Sequence, residues 1–406
     1  MESSELNSDR MGRKTQELEI GGRNETEEDS LNRKAIELTR RQRMLAAIRR
    51  EAVDCCPRAT YNIHPYTDNA HTRDPSYAEI LELIAAHAGV AAKVGASGEG
   101  VALSETAPGV VETSSADDGE MTVLNTVLHT PRGDLTSVYR GEPGKPGRQT
   151  KSLVESDDDI EKFLSLPYEP PEYDVTAVTT LCEAVGDRGL VFVYMSAPVE
   201  HVVPLFNYED FCVRALTDLQ TVKRMMDWTF ERCFNNARLL ARACSGLDCV
   251  FHVVGPEYVT PPMIAPRLFG ELVTPHLRRL VEVAHEAGFP VVVHCHGRVR
   301  DAVPELIAAG VDALEPIEPI PQGDIDLAEL LDTYGSDISF MGHVQDQEFY
   351  TAAPGHFTRW VESVARAVNG RSGYIMSPTC TPFDFPCTDT YRKNYVEWLE
   401  AAERIL

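Results

Sequence analysis

The chain has 406 residues, 43% of them hydrophobic and 25% charged, with 38 basic against 63 acidic side chains and a formal net charge of −25. That length and apolar content suffice for one large core or two moderate ones. The acidic field repels nucleic acid and anionic membrane surfaces; no apolar run reaches the roughly eighteen residues of a membrane span, and the start of the chain carries no signal-peptide core. A cytoplasmic protein that binds neither partner is therefore expected.

The first segment, residues 1–29, is polar and charge-rich and cannot bury enough surface to offset ordering entropy, so it is expected to be a disordered tail ahead of a single domain over residues 30–406. From Ser30, a plausible N-cap, Leu31, Ile36, Met44, Leu45 and Ile48 recur at roughly helical intervals until Pro57 closes the segment, predicting a long N-terminal helix. "RATYNIHPY" follows as the first candidate strand. "TVLHTPRGDLTSVYR" reads as a hairpin inserted with its turn at Pro131, Arg132 and Gly133, and "GEPGKPGRQ" as a surface loop.

Beyond Pro170 the runs "GLVFVYMS", "DCVFHVVG", "PVVVHCHG", "DALEPIE", "ISFMGHV" and "GYIMSPTC" alternate with helical stretches such as "VTPHLRRLVEVAHEAG". Strands apolar on both faces that alternate with helices build a parallel sheet covered by helices. With the first strand this makes seven candidates, close to the eight of a closed barrel. The predicted class is thus α/β, a single (β/α)8 TIM-type barrel with an N-terminal helical extension and a β-hairpin insertion. An open doubly wound sheet competes, but no GxGxxG or GxxxxGK[ST] stands at a strand-to-helix turn. The ten cysteines are too sparse and irregular for a disulfide scaffold; Cys212, Cys233 and Cys244 fall in helical patterns, where a free thiol packs as a small hydrophobe.

In a parallel barrel all strands deliver their C-terminal ends to one face, where chemistry is done. Those ends carry Met195 and Ser196, Gly255 and Glu257, His294 and His296, Glu315 and Glu318, His343, and Cys380. Alternation along a strand points His294 and His296 to one side and Cys295 to the other, with the two histidine Cα atoms about 7 Å apart at roughly 3.3 Å per residue. Two imidazoles at that spacing can close on one zinc ion, with Cys380 as a thiolate and Glu318 as an oxygen ligand. A bland reading stands beside each: a lone strand-end histidine such as His343 or His252 is commonly a hydrogen-bonded structural residue, and Glu315 and Glu318 suit a solvated loop or the cap of a following helix. Cys387 lies in a proline-rich loop and reads as packing.

"TRRQRMLAAIRREAVDCCP", "PPMIAPRLFGELVTPHLRRLVEVAHEAGFPVVVHCHGRVRDAVPELIAAGVDALEPIEP" and "GYIMSPTCTPFDFPCTDTYRKNYVEWLEAA" resemble, in order and spacing, the uroporphyrinogen decarboxylase superfamily, from about residue 35 onward. That resemblance implies one of two activities. The true decarboxylases are cofactor-free and carry an arginine-rich "MRQAGR"-like segment after the first strand and an aspartate in an "FSDI"-like segment; here the corresponding "YNIHPYTDNAHTRD" has neither motif, and Arg58 and Arg73 form no obvious cluster for a polycarboxylate. The methyltransferase and O-demethylase wing carries a His-x-Cys pair on a central strand and a second cysteine after the last one. His294 and Cys380 match, while His296 replaces the first cysteine, which leaves the metal harder and suited to polarising oxygen as well as activating a thiol.

The resemblance therefore implies a zinc enzyme with His294, His296, Cys380 and Glu318 around the metal and His343 or Glu257 moving a proton, which transfers a methyl group between a small-molecule substrate and a thiol or folate acceptor or a corrinoid carried on a separate protein. Uroporphyrinogen decarboxylation is the first alternative. A metal-dependent hydrolase is the second, although such barrels usually carry the histidine pair on their first strand; a non-catalytic ligand-binding barrel is the third.

Overall fold

In the computed structural model of the protein, residues 37–97, 110–117, 121–142 and 147–406 are described. The expected tail over residues 1–29 and the cap at Ser30, with Leu31 and Ile36, lie outside them. Eight strands form one parallel sheet in the order β1 (Ala59–Tyr61), β2 (Gly89–Val94), β7 (Gly189–Met195), β8 (Cys249–Val253), β9 (Val291–His294), β10 (Ala313–Ile317), β11 (Ser339–Val344) and β12 (Tyr374–Pro378). The last strand returns to the first through a parallel bridge between Arg58 and Met376, and the Met376 amide donates to the Pro57 carbonyl at 2.9 Å. Helices cover the outside, so the fold is the (β/α)8 barrel. Residues Leu38–Leu406 form one compact unit, and among the described residues no helix is long and apolar enough to cross a membrane.

The insertion is larger than a hairpin. β3 (Val111–Asp117), β4 (Thr122–Leu128), β5 (Leu135–Gly141) and β6 (Arg148–Lys151) make a separate four-stranded antiparallel sheet. Its β4–β5 pair is the predicted hairpin, with the turn at the predicted Pro131–Gly133: the Gly133 amide donates to the Thr130 carbonyl at 3.0 Å. The flanking strands escaped notice because β3, "VETSSAD", is polar and exposed along its whole length, so no apolar alternation marks it.

The N-terminal helix is shorter than expected, Arg40–Ile48, because Thr39 and Gln42 form a capping box that starts it at Arg40. It closes the floor of the barrel. Met44, Ala47 and Ile48 pack into a cluster to which every strand contributes: Ala59, Ala91, Leu190 with Phe192, Val250, Val292, Ala313, Met341 and Ile375. Burying Met44 and Ile48 contributes about 1.5–3 kcal/mol each. Its polar rim ties it to the chain just before the strands, as Arg41 pairs with Asp187 and Asp248 and the Ala47 carbonyl accepts from Ser339 Oγ.

Two residues further along each strand, alternation brings the next inward ring: Tyr61, Lys93, Tyr194, His252, His294, Glu315 and Ser377. The change from an apolar to a polar ring is where the core ends and the candidate site begins.

Candidate active site

Glu315 is the hub of the polar ring and is wholly buried. Its Oε1 accepts from Lys93 Nζ at 2.9 Å, from His252 Nε2 at 2.5 Å and from His294 Nδ1 at 3.0 Å. Burial alone would raise the Glu315 carboxyl, but Lys93, His294 and His252 together hold it well below the usual carboxylate range. Burial draws Lys93 downward, and the carboxylate draws it back toward its charged form. His252 is pushed down to about 4 by burial and by Lys93, so it is a neutral donor at Nε2; its Nδ1 and Glu315 Oε2 are buried without partners. Lys93 Nζ also lies 3.5 Å from the centroid of the Tyr61 ring, whose hydroxyl stands 3.3 Å from His294 Nδ1.

An ionised carboxylate can only accept, so the hydrogen bond needs a proton on His294 Nδ1, and in the neutral ring that tautomer keeps its lone pair on Nε2. Next to it, the His296 ring lies 4.6 Å away, centroid to centroid, and nearly perpendicular. His296 Nδ1 is 3.4 Å from Glu318 Oε1, and Glu318 Oε2 accepts from the Gly297 amide at 2.8 Å. Burial opposes charge on His296, but Glu318, with Glu315 and Glu257 behind it, raises it on balance; burial likewise opposes charge on Glu318, whose pairing with His296 lowers it. Cys295 points away as predicted, fully buried with its Sγ 2.9 Å from Thr260 Oγ1.

Cys380 stands just past β12, partly exposed, within electrostatic reach of Lys93, Tyr61 and Glu318. Burial, reinforced by Asp346, raises its thiol. Glu257 stands in the single helical turn Pro256–Val259 that follows β8, its Oε2 accepting from the Gly255 amide at 2.8 Å and its charge felt by Tyr61, Lys93 and His296. Glu200 is its neighbour: Gly255, at φ +106, passes so close that a Cβ there would sit 2.8 Å from Glu200 Cβ. Burial and the Glu257 charge push Glu200 up to about 7.

Among the described residues, the group whose donor atoms lie within 4.8 Å of one another is His252, His294 and Glu315. No three of His294, His296, Glu318 and Cys380 are drawn to that spacing. They share the mouth of the barrel, with His296 and Cys380 in its more exposed part.

His343 is not brought to the mouth. Met341 points inward, and strict alternation would aim His343 the same way, but Gly342 and His343 adopt φ values of +134 and +78 and the pairing of β10 with β11 shifts there. The ring turns to stack on Trp360 of the helix His356–Val368, at 5.4 Å and 21°, and burial pushes it down to about 4. The bland reading of that histidine fits its surroundings, whereas His252 belongs to the network. Lys93, Tyr61 and Glu200 carried no motif to single them out; only the inward phase of β2, had that strand been recognised, pointed to Lys93.

The sequence profile of a family described as uroporphyrinogen decarboxylase (URO-D) matches residues 122–388. Among solved structures, a methyltransferase from Methanosarcina mazei is similar with a TM-score of 0.55 and 16% identity, covering 91% of this chain and 99% of its own. At that identity the likeness is one of fold. D-psicose 3-epimerase from Clostridium cellulolyticum H10 is a fainter match, with a TM-score of 0.37 and 11% identity over 58% of this chain and 85% of its own. No curated protein matches the sequence.

Proposed function

This chain belongs to the uroporphyrinogen decarboxylase (URO-D) family, and on that footing we propose that it is a zinc-dependent enzyme of the methyltransferase and O-demethylase type. It moves a methyl group between a small-molecule substrate and a thiol or folate acceptor or a corrinoid held on a separate protein. The observation that carries this reading is the orientation of His294: its Nδ1 is committed to Glu315 and its Nε2 is left as a free ligand atom, beside His296 and within the same mouth as Cys380 and Glu318. Two imidazoles, a thiol and a carboxylate are a donor set that zinc favours. The tighter group of His252, His294 and Glu315 fits a metal poorly, because the Lys93 ammonium already occupies the same carboxylate oxygen, at 2.9 Å; it suits the layer that orients the ligands.

Zinc bound there would supply Lewis-acid stabilisation of an anionic acceptor or departing oxygen. In this reading Glu257 holds or moves a proton, and the support for it is that its Oε1 is not taken by the Gly255 amide. A decarboxylase reading finds less support: Arg58 is engaged by Glu403 and the His87 carbonyl, and Arg73 by Asp68, so neither is free to clamp a polycarboxylate. The test is metal analysis of the native protein beside His296→Ala and Cys380→Ala. Near-stoichiometric zinc in the native protein and its loss from both variants is expected; near-stoichiometric zinc in all three would remove the ligand set.

A further inference from the structure

The Lys93–Glu315 pair joins opposite walls of the barrel. β2 and β10 stand four places apart in an eight-stranded ring, and the lysine crosses the interior to reach the carboxylate, with both side chains almost entirely sealed from solvent. A buried ion pair of this kind is weak evidence for stability, since desolvation offsets much of its Coulombic attraction. Its geometry has a more specific effect. Three donors meet on one Glu315 oxygen: the Lys93 ammonium, an imidazole from β8 and the imidazole of His294. The ammonium keeps the hub an acceptor, and the acceptor decides which nitrogen of His294 carries the proton.

We propose that Lys93 is a positioning residue for the metal centre: through Glu315 it fixes His294 with the proton on Nδ1 and the lone pair of Nε2 turned to the mouth. This rests on the zinc reading only for its consequence, because the hydrogen bonds are present in the protein alone. Without the ammonium, an ionised carboxylate would be left in the barrel with no counter-ion. It would move toward solvent or take up a proton, and either change ends its service as an acceptor-only partner. His294 would then be free to carry its proton on Nε2, where it blocks coordination.

The test uses the whole chain, stripped of metal and isotopically labelled at histidine, with the His294 nitrogens assigned by difference from His294→Gln. Wild type is expected to show a protonated Nδ1 and a bare Nε2. Lys93→Met, which keeps the bulk of the stem and loses the charge, is expected to lose that single pattern, with zinc affinity falling about 10- to 100-fold. The double variant Lys93→Met/Glu315→Gln leaves no uncompensated buried charge, so it decides the matter if the single variant does not fold. Its zinc affinity should fall by a similar factor, because an amide carbonyl accepts more weakly than a carboxylate. A proton on Nε2 in wild type, an unchanged nitrogen pattern in Lys93→Met, or undiminished zinc affinity in the double variant would overturn the role of Lys93. Wild type with the expected pattern that binds no zinc would instead overturn the zinc reading and leave the tautomer assignment standing.

Discussion

Asp346→Asn should make the protein more stable at neutral pH. Asp346 follows β11 and is 1% exposed; its Oδ1 accepts from the Tyr391 hydroxyl at 3.0 Å, and its amide donates to Thr379 Oγ1 at 3.1 Å. Burial, aided by the charge of Asp384 and opposed by the tyrosine, pushes the carboxyl from 3.8 to about 6. An acid whose pKa is raised by folding binds its proton more tightly in the native state. Stability therefore falls as pH rises from the unfolded value through the folded one, and the full penalty is present above about pH 6. At about 1.4 kcal/mol per pK unit, the penalty is about 3 kcal/mol. Asparagine keeps the oxygen that accepts from Tyr391 and removes the charge. Any loss from an unsatisfied amide hydrogen is independent of pH, so the informative quantity is how the variant's advantage changes with pH. Urea denaturation of both proteins at about pH 4.5 and about pH 7.5 should show the balance move toward the variant by about 2 kcal/mol at the higher pH, since about 1 kcal/mol of the penalty is already present at the lower one. A difference that is the same at both values would refute the reasoning. The same charge reaches the Cys380 thiol, whose pKa it helps to raise.

Glu257→Gln should lower the titration midpoint of Glu200 from about 7, read by carboxyl NMR of the labelled protein; a midpoint that does not move would mean that the two carboxylates do not sense each other. His343→Ala should cost about 2–4 kcal/mol through the cavity left against Trp360 while leaving zinc content intact, and zinc loss without unfolding would return His343 to the site. Burial pushes His64, His252 and His343 each down to about 4, and a histidine buried neutral contributes stability that is present above its unfolded pKa. That contribution should be lost as pH falls from about 6.5 toward 4. An acid titration followed by circular dichroism should then show unfolding steepen in that window, and a flat stability there would contradict the burial of the three rings.

Much of the barrel was legible because its strands are dense in valine, isoleucine and phenylalanine and end on polar residues. β2 escaped because "GVAAKV" is alanine-rich beside the glycines of "GASGEG" and lacks that signature. Its small residues have a structural reason: Ala91 faces the crowded floor, where Phe192 and Met341 leave little room. Losing that strand also lost Lys93, so the counter-ion of Glu315 was invisible and Glu315 looked like a solvated loop acid. His294 and His296 are legible from strand phase, which holds while the backbone stays regular, and Glu318 and Glu257 from standing just past strand ends. His343 shows the limit: a positive φ re-aimed a side chain that alternation had placed inside, and no residue type other than the preceding glycine hinted at it.

With Met44, Ala47 and Ile48 stopping the lower end, the barrel is a well and not a tunnel. Any ligand of the polar ring must enter by the one open end, and a large partner seated over the rim would close that way to a small one. Any small ligand must therefore already be seated in the well when a large partner covers the rim.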